Sequence, residues 1–136
     1  MVKSICIVIS DYYKEISDGL ETGAIKFCDE NSIKYKKIYV PGALEIGPAI
    51  KIISEKDSYD GFIALGCVIR GETSHFDYVC QGVTNGIQQL NAMGAVPVIF
   101  CVLTDDTIEQ SRARSGGSLG NKGEEAAVAA IEMAHL

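Results

Sequence analysis

Three short runs of the chain are nearly all apolar and a fourth is amphipathic, and the segments between them carry apolar residues at intervals of three and four. Ser4 to Ile9, Lys34 to Val40, Gly61 to Val68 and Val96 to Leu103 are rich in Val, Ile and Cys. The second run is amphipathic and predicts an edge strand. The other three are close to continuous and predict strands covered on both faces. Between them, Ile16, Leu20, Ala24 and Phe27 form a helical stripe, and Leu44 to Ser54 supports a second helix. Val79, Val83, Ile87 and Leu90 form a third stripe, which Asn91 and Gly94 close. Thr107 to Ala113 and Gly123 to His135 predict two more helices, separated by the loop SGGSLGNKG. The order β-α-β-α-β-α-β-α-α implies an α/β three-layer sandwich, a four-stranded parallel sheet with helices on both faces and right-handed crossovers.

Ligands of such sheets bind beyond the carboxyl ends of the strands. The unusual residues of this chain all follow strands. Ser10-Asp11-Tyr12-Tyr13 comes after the first, Pro41-Gly42-Ala43-Leu44-Glu45 after the second, Arg70-Gly71-Glu72-Thr73-Ser74-His75 after the third, and Thr104-Asp105-Asp106 after the fourth. Gly71 lets the chain turn tightly or approach a ligand closely. Thr73 and Ser74 stand where a helix begins, so their hydroxyls and the first free backbone N–H groups suit an anion such as phosphate. The same hydroxyls also suit an N-cap. His75 follows in the same polar turn. Histidine exchanges protons near neutral pH, which makes it a candidate acid–base group, although a lone histidine is more often structural. Tyr12 and Tyr13 offer a stacking face for a planar heterocycle or simple packing. Glu45 suits a polyol or a helix N-terminus. Arg114 and Lys122 flank the glycine-rich loop, where charged residues are usually solvated.

Composition narrows the function. The chain has 136 residues, the size of one domain (1–136), with 47% hydrophobic and 22% charged residues. A net charge of −6 supplies no basic stripe for nucleic acid, but a small anion needs only one or two local cations. No apolar run reaches the length of a membrane span, and MVKSICIVIS is too brief for a signal peptide. The cysteines, Cys6, Cys28, Cys67, Cys80 and Cys101, form no C-x-x-C pair. They read as small core residues in a reducing compartment, the cytoplasm. Two histidines and no suitable spacing argue against a metal site.

VPGALEI at 40–46, GCVIRGETSHFDYV at 66–79, TIEQSRARSG and GNKGEEAA occur in one register over nearly the whole chain. Together they resemble the 6,7-dimethyl-8-ribityllumazine synthase family. The resemblance implies a flavodoxin-like fold and a condensation of 5-amino-6-(D-ribitylamino)uracil with 3,4-dihydroxy-2-butanone 4-phosphate. That step releases phosphate and water, precedes the last step of riboflavin synthesis, and needs no metal or organic cofactor. It further implies that Tyr12 lies against the pyrimidine, where the family usually has Phe or Trp. Ala43, Leu44 and Glu45 are implied to hold the ribityl chain, with Cys67, Val68 and Ile69 at the pyrimidine edge. Gly71, Glu72 and Thr73 match the phosphate turn, and His75 matches the proton-transfer residue. Phe100, a phosphate-binding Arg114 and an accessory Lys122 are implied to come from a neighbouring subunit, in a homopentamer; whether such pentamers build a larger shell stays open. Gly47-Pro48 follows Glu45-Ile46 where the family commonly has Pro directly, which predicts a helix start displaced by one residue. A related riboflavin synthase, a non-catalytic flavin-binding module and a shell protein are the other readings; the complete GETSH turn favours the synthase.

Overall fold

The computed structural model describes residues 4–94 and 96–136; Met1 to Lys3, the start of the apolar N-terminal run, lie outside them. The strands β1 (Ser4–Ser10), β2 (Lys34–Val40), β3 (Gly61–Ile69) and β4 (Val98–Asp105) form one sheet in the order β2-β1-β3-β4. Every neighbouring pair is parallel. The helices are α1 (Lys14–Glu30), α2 (Ile46–Lys56), α3 (His75–Met93), α4 (Ile108–Arg114) and α5 (Lys122–Ala134). This is the flavodoxin-like α/β arrangement, and the apolar runs explain it. β1 and most of β3 are buried on both faces, whereas β2 stands at the edge, with only Tyr35, Ile38 and Val40 partly covered.

Two apolar clusters sit on opposite faces of the sheet. Ile5, Ile7, Ile9, Ile63 and Leu65 meet Ile16 and Leu20 of α1 and Ala127 of α5. Cys6, Val8, Phe62 and Ala64 meet Ile46 and Ile50 of α2 and Val83 and Ile87 of α3. The alternation of strand side chains between faces assigns each residue to its cluster. The α1 stripe continues through Cys28, which is fully buried, while Phe27 is only partly so.

Local chemistry moves several boundaries. β4 begins at Val98, two residues after the apolar run does, because Pro97 has no N–H for the ladder; its carbonyl still accepts from the Phe62 N–H at 2.9 Å. Leu44 and Glu45 belong to a 3-10 turn, Ala43–Glu45, and α2 starts after it. Pro48 thereby falls in the first turn of α2, where its missing N–H leaves no helical bond unmade. The loop SGGSLGNKG contains a small antiparallel hairpin, β5 (Ser115–Gly117) with β6 (Gly120–Asn121). Gly116 and Gly120 adopt φ of +114° and +85° there, a region that side chains disfavour. No described helix is long and apolar enough to cross a membrane.

Candidate active site

The polar turns after β1, β2 and β3 meet at the carboxyl edge of the sheet, beside the point where the strand order reverses around β1. They enclose a cavity of about 340 Å³, a size suited to a small organic ligand. Tyr12 and Tyr13 line it from the end of β1. Their rings pack edge to face, 5.1 Å apart at 75°, and Tyr12 remains 76% exposed. Burial raises the Tyr13 phenol above its ordinary range, with Tyr12 and Cys67 adding to the effect.

Ala43, Leu44 and Glu45 line a second wall. The 3-10 turn that presents them closes through the Glu45 N–H, which donates to the Gly42 carbonyl at 3.1 Å. The Glu45 carboxylate lies close over Gly42, where a Cβ would stand 2.9 Å from Oε1. Only glycine leaves room for the acid in this position.

The third wall is the end of β3, Cys67, Val68 and Ile69, followed by Gly71, Thr73 and His75. His75 is the first residue of α3, and its N–H donates to Thr73 Oγ1 at 3.2 Å. Ser74 occupies the N-cap position without a side-chain cap bond. Thr73 thus ties the turn to the helix start and leaves the imidazole at the cavity. Phe76 and Val79, which sequence reasoning did not assign to the site, close the cavity from α3.

Arg70 holds this turn from outside. Its Nε donates to Asp106 Oδ1 at 2.8 Å, an Nη lies 3.3 Å from Asp77 Oδ1, and its guanidinium covers Phe76. One cation therefore joins the end of β3, the first turn of α3 and the end of β4. Hydrogen bonds to Asp106 and then Asp77 raise its pKa further above neutrality. The sequence shows the charge but not its partners, which lie 7 and 36 positions away.

Phe100, Arg114 and Lys122 are not at this cavity. They line a second one, of about 410 Å³, together with Asp105, Cys101 and Glu125. The two cavities share no lining residue, and Glu72 lines neither. Arg114 ends α4 and donates to the Gln110 carbonyl of its own helix at 3.0 Å. Lys122 opens α5 and pairs with Glu125 at 3.3 Å. Burial pushes the Cys101 thiol in this cavity up to about 12, so it stays protonated.

With the two cavities defined, comparison with known proteins identifies the chain's relatives. A family model described as 6,7-dimethyl-8-ribityllumazine synthase matches residues 3–136. The chain belongs to this family. A protein of Christiangramia forsetii with that name is 52% identical over 134 residues, covering 96% of this chain and 80% of its own length. Its namesake in Flavobacterium psychrophilum is 48% identical, covering 96% of this chain and 70% of its own length. One from Parabacteroides distasonis is 46% identical over 136 residues, covering 98% and 85%. Membership of the lumazine synthases gives the carboxyl-edge cavity its chemical context. It holds aromatic, carboxylate, hydroxyl and imidazole groups together, while the guanidinium and the ammonium stand at the other cavity.

Proposed function

We propose that this chain performs the lumazine synthase reaction in sites shared between neighbouring subunits of a ring. The cavity at the ends of β1 and β3 takes the uracil, with its ring against Tyr12 and at the β3 end. The ribityl chain lies along Ala43, Leu44 and Glu45. The Gly71–Thr73 turn and the neighbour's Arg114 hold the phosphate of the butanone, while the neighbour's Phe100 covers the ring and its Lys122 adds positive charge. Lumazine synthases are enzymes of riboflavin biosynthesis, and this chain works at that step.

The uracil's amine attacks the ketone carbon, and loss of water leaves an imine. A proton is then removed from carbon and the phosphate departs, leaving an enol that tautomerises to a ketone; the ribitylamino nitrogen attacks that carbon, and loss of a second water closes the second ring. His75, at the cavity wall beside the Thr73 turn, is the group that moves protons. Arg114 and the turn stabilise the charge that gathers on the leaving phosphate. Holding two reactants side by side supplies much of the acceleration, because the amine is already a competent nucleophile.

The observation that carries the shared site is the separation of Arg114 and Lys122 from the His75 cavity within one chain. A head-to-tail contact would bring the second cavity of one subunit against the first of the next. Repeated contacts of that kind close into a ring, here a pentamer. The enzyme is assigned to the cytoplasm, in keeping with five free cysteines.

The test is incubation of the purified protein with both substrates, reading the fluorescent lumazine, together with sedimentation. Product should form at a ring of five subunits. A folded ring that makes no product would remove the catalytic assignment, and an active monomer would remove the shared site.

A further inference from the structure

Helix α4, which carries Arg114, has one fully buried residue, and it is polar. Ser111 is 0% exposed. Its hydroxyl donates to Asp105 Oδ2 at 2.8 Å. A hydroxyl has a single proton, so the 3.3 Å contact between Ser111 Oγ and Cys67 Sγ is made by the thiol proton. The direction of the chain follows: the Cys67 thiol donates to Ser111, and Ser111 donates to Asp105. Burial pushes the thiol up to about 11, so the donor keeps its proton at neutral pH.

This chain of bonds joins the two cavities. Cys67 belongs to the β3 end that lines the first, and Asp105 lines the second. Arg114 lies three residues beyond Ser111, close to one helical turn along the same short helix. Elsewhere α4 is tied by the capping box of Thr107 with Gln110, by the exposed Arg112–Glu15 pair at 2.8 Å, and by the Leu119 N–H, which donates to the Ala113 carbonyl at 2.9 Å. Ile108 adds a partly buried apolar contact at the other end of the helix. A helix of seven residues has little stability of its own. Its rotation and depth therefore depend in part on what its one fully buried side chain bonds.

We infer that Ser111 is a positioning residue for Arg114: held by Cys67 and Asp105, it sets where α4 presents the guanidinium to the phosphate of the butanone substrate. The inference rests on the assignment of Arg114 to that phosphate and goes beyond it, because Ser111 touches no substrate. The bonds are local and the gap left by one oxygen is small, so Ser111→Ala folds and assembles.

The experiment is a double-mutant cycle of Ser111→Ala and Arg114→Ala, with both KM values and kcat measured on the assembled enzyme. Ser111→Ala should raise KM for the butanone phosphate about three- to tenfold, the scale of a lost buried hydrogen bond, and leave KM for the uracil unchanged. In the Arg114→Ala background it should have no further effect, since the residue it positions is gone. Additive losses, or equal rises in both KM values, would mark general loosening and overturn the inference. If Arg114→Ala itself leaves KM for the butanone phosphate unchanged, the phosphate assignment falls and the inference with it. If Arg114→Ala acts and Ser111→Ala does not, only the inference falls. A Raman measurement checks the bond directly, with the Cys67 S–H band assigned by its loss in Cys67→Ala. That band should shift to the free-thiol position in Ser111→Ala, and an unshifted band overturns the anchoring chain.

Discussion

The Arg70 guanidinium carbon lies 4.4 Å from the centre of the Phe76 ring. Phe76 lines the cavity, and His75 precedes it. The cation thus holds the residue next to the proposed proton carrier while it bonds Asp106 and Asp77. All three charged side chains are well exposed, so each ion pair contributes little to stability. Position is the larger effect. Arg70→Ala should leave the melting temperature nearly unchanged and lower turnover about ten- to a hundredfold, as misplaced catalytic groups do. Arg70→Lys should not restore it, because an ammonium cannot cover the ring and bridge two carboxylates in the same geometry. Steady-state rates with thermal melts decide this; normal turnover in Arg70→Ala would show that the turn holds itself.

His75→Ala should lower turnover roughly ten- to a thousandfold without abolishing it, because the substrates remain positioned and water carries protons less efficiently. The side chain is exposed at the first residue of α3, so fold and ring should survive. Single-turnover rates on the assembled variant are the measurement. A wild-type rate removes His75 from the mechanism.

Subunit mixing tests the shared site. His75→Ala and Arg114→Ala chains, each of reduced activity, are unfolded and refolded together in equal amounts. If a site takes His75 from one subunit and Arg114 from the next, random order around a ring restores about a quarter of the sites. Activity that stays at the level of the single variants in well-mixed rings would place both residues in a site of one chain.

Gly123 permits close packing of α5 on α1. A Cβ there would lie 1.9 Å from the Leu20 carbonyl oxygen. Neither backbone can yield cheaply, since Asn121 caps α5 through the Gly123 and Glu124 N–H groups and donates to the Gly19 carbonyl at 2.9 Å. Gly123→Ala should therefore cost about 1–3 kcal/mol or more, the range of overpacked cores. Thermal denaturation at fixed protein concentration measures it. An unchanged midpoint would mean that α5 shifts freely along α1.

The order of elements, the parallel sheet and the edge role of β2 were written in the sequence, because covering a strand on both faces demands a continuous apolar run and covering one face demands alternation. The polar turns after β1, β2 and β3 were legible for the same reason: each interrupts such a run abruptly at the edge where these sheets bind ligands. Tertiary structure decided what sequence distance hides. Pro97 trimmed β4, and the glycines of SGGSLGNKG folded a hairpin inside a presumed loop. Cys67 and Ser111, 44 positions apart, share a hydrogen bond, and Arg70 reaches Asp106 across 36. Phe100, Arg114 and Lys122 were brought to a cavity of their own. Periodicity reports which face of an element is buried, a property of neighbouring residues along the chain. Which polar side chains then meet depends on how whole elements stack, and no local pattern encodes that.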